Sequence, residues 1–168
     1  MKKVLSILAS LLMTLHVIGQ NSEAMFNEAE DLFANGMYDE ANAIYSKVIA
    51  ADPDNMNAYL RRGFCNSVMN RYDKAIEDFT TVIDKHADHP FAYISRGSAQ
   101  NKLGKFQAGL ADFDRALNLD PKNQEAYNNR GWSKNGMGLF DEACKDWSTS
   151  KKLGNEEAKL ILKNNHCK

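Results

Sequence analysis

Residues of like size recur every 34 positions through most of this 168-residue chain. Ala41, Ala75, Gly109 and Ala143 form one such column, and Tyr38, Tyr72, Phe106 and Phe140 form another. Tyr45, Phe79, Phe113 and Trp147 make a third, Ala29, Gly63, Gly97 and Gly131 a fourth, and Gly36, Asn70, Gly104 and Gly138 a fifth. Four copies in register, with no insertion, mean that one supersecondary unit is repeated and stacked, because no single copy can bury its own apolar face.

Each column has a physical reason. Two antiparallel helices approach closely only where a small residue faces the partner. Gly63, Gly97 and Gly131 supply it on the first helix of a copy, and Ala41, Ala75, Gly109 and Ala143 on the second. The bulky Tyr45, Phe79, Phe113 and Trp147 then fill the space beside them to interior density. The Gly36 column falls where the first helix must end in a left-handed cap, and Asn70 is the next best residue there. Pro53 and Pro121 stop second helices, whereas Pro90 suits a first helical turn.

A 34-residue helix–turn–helix unit with small, aromatic and proline columns resembles the tetratricopeptide repeat. Tyr59-x-x-Arg62-Gly63, Tyr93-x-x-Arg96-Gly97 and Tyr127-x-x-Arg130-Gly131 resemble its common bacterial variant. The resemblance covers about residues 22–154 and implies an all-α, right-handed α-solenoid. The expected division is 22–55, 56–89, 90–123 and 124–154 for the four repeats. The first copy departs most, with Met25 and Glu28 in place of the tyrosine and arginine, as an end repeat facing solvent can. Residues 155–168 then read as a capping helix: Asn155 caps it, Glu156 and Glu157 suit its positive end, and Ala158, Ile161 and Leu162 form one apolar stripe.

The N-terminal stretch is different in kind. Lys2 and Lys3 precede an apolar run from Val4 to Ile18, too short to span a bilayer comfortably. It matches a bacterial-type secretory signal, residues 1–19, with cleavage leaving Gln20 first; an uncleaved anchor is the alternative. A periplasmic or extracellular location is therefore expected, with no membrane span after cleavage. The net charge of −1 gives no basic face for nucleic acid.

An oxidising compartment makes a disulfide the first question. Cys144 lies about ten residues before Gly154 and Cys167 about thirteen after it, so antiparallel helices bring the two thiols within about one turn. Cys65 sits two repeats away and is expected to be free; three unpaired thiols are the alternative. Neither Cys144, His166 and Cys167 nor His86-x-x-His89 has the ligand spacing of a structural metal site, and no cofactor is expected. There is no phosphate-cradling loop, nucleophile elbow or His-Glu-x-x-His helix, so neither catalysis nor a small-molecule substrate is expected. Arg62, Arg96 and Arg130 recur with Asp78, Asp112 and Asp146 sixteen residues on, while the first copy has Glu28 and Ile44. Joint presence and joint absence point to a structural pair between the two helices of a repeat.

The resemblance also implies where a partner binds, since first helices in this family line a groove for extended peptides or helices. The matching rows here are Phe26, Leu60, Ile94 and Asn128; Glu30, Phe64, Ser98 and Trp132; and Phe33, Ser67, Asn101 and Asn135. Phe26, Phe64 and Trp132 are left over once the packing columns are assigned, which makes them candidate anchors. Asn101, Asn128 and Asn135 are placed to bond a peptide backbone, and Arg61 adds a charge. A second reading has Phe26 and Phe33 packing beneath the N-terminal stub. A clamp for terminal carboxylates does not fit, because Phe26, Glu30 and Ser95 stand where it needs basic and amide residues. The expected function is a non-enzymatic adaptor in a bacterial envelope assembly, or alternatively a periplasmic holdase for exported polypeptides.

Overall fold

A computed structural model of the chain describes residues 22–164 and 167. The signal-like segment and His166 lie outside the described residues. These contain nine helices and no strand. After α1 (residues 22–34) come α2 (Tyr38–Ala51), α3 (Met56–Val68), α4 (Tyr72–Lys85), α5 (Pro90–Lys102), α6 (Phe106–Leu119), α7 (Gln124–Gly136), α8 (Phe140–Lys152) and α9 (Glu156–Asn164). None of the helices among the described residues is long and apolar enough to cross a membrane. The chain forms two compact units, one through Met69 and one from Asn70.

In the first unit, Ala29, Ala41, Tyr45, Val48, Ala58 and Cys65 make a fully enclosed core. Met25, Phe26, Leu32 and Phe33 of α1 pack against it, half-buried. The turn into α2 is a left-handed cap: Gly36 has φ +76°, and the Met37 amide donates back to the Leu32 carbonyl at 2.9 Å.

In the second unit, consecutive helices from α4 to α9 pack pairwise, and α5 also lies against α7. The small columns do what their size requires. Gly97 on α5 faces Gly109 on α6, and a Cβ on Gly97 would sit 3.1 Å from the Gly109 carbonyl oxygen and 2.9 Å from Cζ of Phe113. A Cβ on Gly131 would sit 2.4 Å from the Trp147 indole nitrogen. Phe113 and Trp147 are thus seated under the glycines of the preceding helix, both fully buried.

The Tyr-x-x-Arg-Gly motif acquires a single explanation. Arg96 lies over the Tyr93 ring at 5.8 Å and Arg130 over Tyr127 at 5.2 Å, one helical turn apart in each case. Arg96 then grips Asp112 on α6 with two bonds of 2.8 and 2.7 Å, and Arg130 grips Asp146 on α8 with bonds of 2.9 and 2.7 Å. The bond to Asp112 raises the Arg96 pKa further, against the opposing effect of burial. These arginines tie helix to helix inside a repeat, the structural role their spacing implied.

Every first helix from α3 onward starts with a side-chain cap. The Ala58, Ala92 and Ala126 amides donate to Asn55 Oδ1, His89 Nδ1 and Asn123 Oδ1 at 3.1, 3.2 and 3.0 Å. His89 is therefore a capping acceptor, and Pro90 occupies the first turn behind it. At the far end Asn155 caps α9 through the Ala158 amide at 3.0 Å. Ala158 and Ile161 are buried, and Ile161 joins Ala143 and Trp147 in one cluster that Leu162 flanks, so α9 covers the apolar face of α8.

Candidate partner-binding site

In the first unit the expected groove residues are largely engaged with one another. The Tyr45 hydroxyl donates to Glu30 Oε1, and Arg61 meets Glu30 Oε2 at 2.7 Å. Burial first, and then the bond to Glu30, push the Tyr45 hydroxyl well above its ordinary range. Arg61 also lies over the Phe33 ring at 5.3 Å, and the Phe26 ring stands 5.7 Å from Tyr45. Phe26 and Phe33 thus belong to the apolar packing of the unit, Leu60 is buried, and Phe64 is half-buried.

In the second unit two of the expected contact residues are interior. Ile94 is only 2% exposed and Asn128 3%, so neither presents a free side chain to a partner. The reason is that α5 is packed by α4, α6 and α7 at once, while α7 is covered by α8. The Asn128 side chain donates to Glu157 on α9 at 3.1 Å, and its backbone carbonyl accepts from the Trp147 indole at 3.2 Å. Asn101 is committed as well: its Nδ2 donates to the Asn129 carbonyl at 3.2 Å and its Oδ1 accepts from Ser133 at 2.9 Å. It joins α5 to α7, although it was expected to be available to a peptide backbone.

Among the openings of the second unit is a cleft of about 510 Å³ that holds several of the expected residues. Its floor is Trp132, Asn129 and Asn135 on α7, with Ser98, Asn101 and Lys102 on the α5 wall and Glu157 on the α9 wall. Phe106 and Gly136 close one end, and they pack so tightly that a Cβ on Gly136 would sit 2.6 Å from the Phe106 ring. Trp132 is 38% exposed, with its ring edge-on to the buried Trp147 at 5.2 Å between centroids. One part of this indole is anchored and the rest is available.

Cys144 and Cys167 are bonded, their Cα atoms 5.6 Å apart. Cys65 is free and fully buried, and burial pushes its thiol up to about 11. Among the described residues no group of three His, Cys, Asp or Glu side chains is arranged to hold a metal ion.

Two family profiles described as tetratricopeptide repeat match the sequence, one over residues 32–94 and the other over 67–124 and 94–147. The chain belongs to the tetratricopeptide repeat family. No curated protein matches it by sequence. Solved structures that resemble it include a crystal structure of MamA, at 21% identity and TM-score 0.76 over 88% of this chain and 86% of that one. MamA from Desulfovibrio magneticus RS-1, residues 41 to its end, matches at 20% identity and TM-score 0.75 over 79% and 75%. At such identities the likeness is one of fold: an all-helical solenoid of tetratricopeptide type. Membership of the family carries the general role of a protein–protein interaction scaffold.

Lys102, Phe106, Asn129, Gly136 and Glu157 were not legible as site residues in this tetratricopeptide sequence. Phe106 was hidden because its spacing reads as packing, and Gly136 falls in none of the 34-residue columns. Glu157 was read only as a partner for the helix dipole, since nothing local says that the capping helix reaches the α7 face.

Proposed function

We propose that this chain is a non-enzymatic adaptor that holds an extended segment or helix of a protein partner in a bacterial envelope assembly. The observation that carries the reading is Trp132, a half-anchored indole on the floor of an open cleft in a repeat of a scaffold family. A large side chain left in contact with water beside amide and hydroxyl groups is the composition of a binding hot spot. The disulfide agrees with an oxidising compartment, and the signal-like N-terminus with export. Asn129, Asn135 and Ser98 favour a selective partner over the broad apolar surface of a holdase.

A photocrosslinking residue replacing Asn135 in intact cells, followed by mass spectrometry, tests this. One or two partners in stoichiometric amounts are expected from the envelope fraction. Trp132→Ala should weaken their retention by about 2 kcal/mol or more per folded molecule. Many unrelated chains, together with suppressed aggregation of an unfolded substrate, would instead mean a holdase. If Trp132→Ala leaves retention unaltered, the cleft is not the binding site.

A further inference from the structure

The two walls of the cleft carry opposite charge. Lys102 on α5 and Glu157 on α9, a helix outside the repeats proper, both line it. The Asn128 amide turns its Nδ2 toward the Glu157 carboxylate at 3.1 Å, and its Oδ1 is enclosed with no hydrogen-bond partner among the described residues. Glu125, one turn earlier on α7, reaches solvent. Its carboxyl is nevertheless raised, by desolvation from the surrounding chain and then by the Glu157 charge. Glu157 thus lines the cleft together with the open Trp132 indole, and the second carboxylate within its field, Glu125, adds to the negative charge behind it.

Resting on the adaptor reading above, we propose that this part of the cleft is a subsite for a lysine or arginine side chain of the bound segment. The cation lies against the Trp132 indole and pairs with Glu157. An indole face attracts a cation through its quadrupole, and the neighbouring carboxylate supplies the charge that an aromatic surface alone lacks. The capping helix then has two tasks, covering α8 and completing the site. The disulfide beyond α9 ties the chain after that helix back to α8.

The test uses the mature protein, disulfide intact, to select from a displayed library of random dodecapeptides. Wild type should enrich segments carrying a lysine or arginine. Glu157→Gln keeps an oxygen for the Asn128 amide, yet should bind the enriched peptides at least tenfold more weakly and lose the basic preference. Glu156→Gln is the control for net charge: its side chain is 86% exposed and pairs with Lys159 at 3.6 Å, so preference and affinity should stay as in wild type. Enriched peptides with no basic residue, or equal binding by Glu157→Gln, would overturn the subsite while Trp132-dependent capture kept the adaptor reading alive. Loss of preference in Glu156→Gln to the same extent would also overturn it, reducing the effect to overall charge. Capture of no peptide by wild type would defeat both readings.

Discussion

Gly97 shows how much one residue decides in this protein. A Cβ there would press on both the Phe113 ring and the Gly109 carbonyl, and a leucine side chain has no space at all. Overpacking of this kind costs about 1–3 kcal/mol even when the backbone can shift. Gly97→Leu should therefore lower the melting temperature by several degrees or more, measured by circular dichroism. Trp132→Ala, which removes an edge contact from an exposed ring, should cost about 0.5–1.5 kcal/mol. An equal loss from the two substitutions would mean that Trp132 is core. Cys65 makes the opposite point, that enclosure can silence a reactive group. With its thiol buried and raised to about 11, almost no thiolate exists at pH 8, and a disulfide-exchange reagent should find no reactive thiol until the protein is unfolded.

Helices in this chain are held by their ends as much as by their faces. His89 caps α5 through its ring nitrogen, so His89→Ala should cost about 1 kcal/mol in chemical denaturation, while His89→Asn should restore the acceptor. Restoration by asparagine separates the cap from the general loss of a side chain. At the other end of the second unit, Cys144 and Cys167 close a loop with a sequence separation of 23. The chain-entropy model values such a loop at about 3 kcal/mol, and Cys144→Ser with Cys167→Ser should lose up to that amount. The loss should fall on α8 and α9 first, which hydrogen exchange resolved by peptide would report as faster exchange there than in α5. Uniform acceleration would mean that the bond stabilises the unit as a whole.

For the whole molecule, stacking makes each repeat depend on its neighbours, so an exposed end is a cost that something must cover. Ending the chain at Leu153 would uncover Trp147 and Ala143, take away the disulfide and remove Glu157 from the cleft together. Such a protein should remain helical but melt earlier, and should bind partner less well per folded molecule. Much of the architecture was legible beforehand because a 34-residue period records packing directly: small residues mark close approach, aromatics mark the filled space, and glycine or asparagine marks the left-handed turn. The Arg96–Asp112 and Arg130–Asp146 pairs and the Cys144–Cys167 bond were legible for the same reason, since helical rise and antiparallel direction convert spacing into distance. The site was less legible. Which of Ile94, Asn101, Asn128 and Trp132 stays in contact with water depends on how closely α5, α7 and α9 approach, and no periodicity within one helix carries that. Local pattern thus determined the helices, their caps and the pairing within repeats. Only tertiary structure decided that Asn101 and Asn128 turn inward to satisfy neighbouring groups, and that a glutamate from the capping helix lines the same cleft as the exposed tryptophan. A side chain's partners across a helix interface are set by the distance between helix axes, which sequence spacing does not encode.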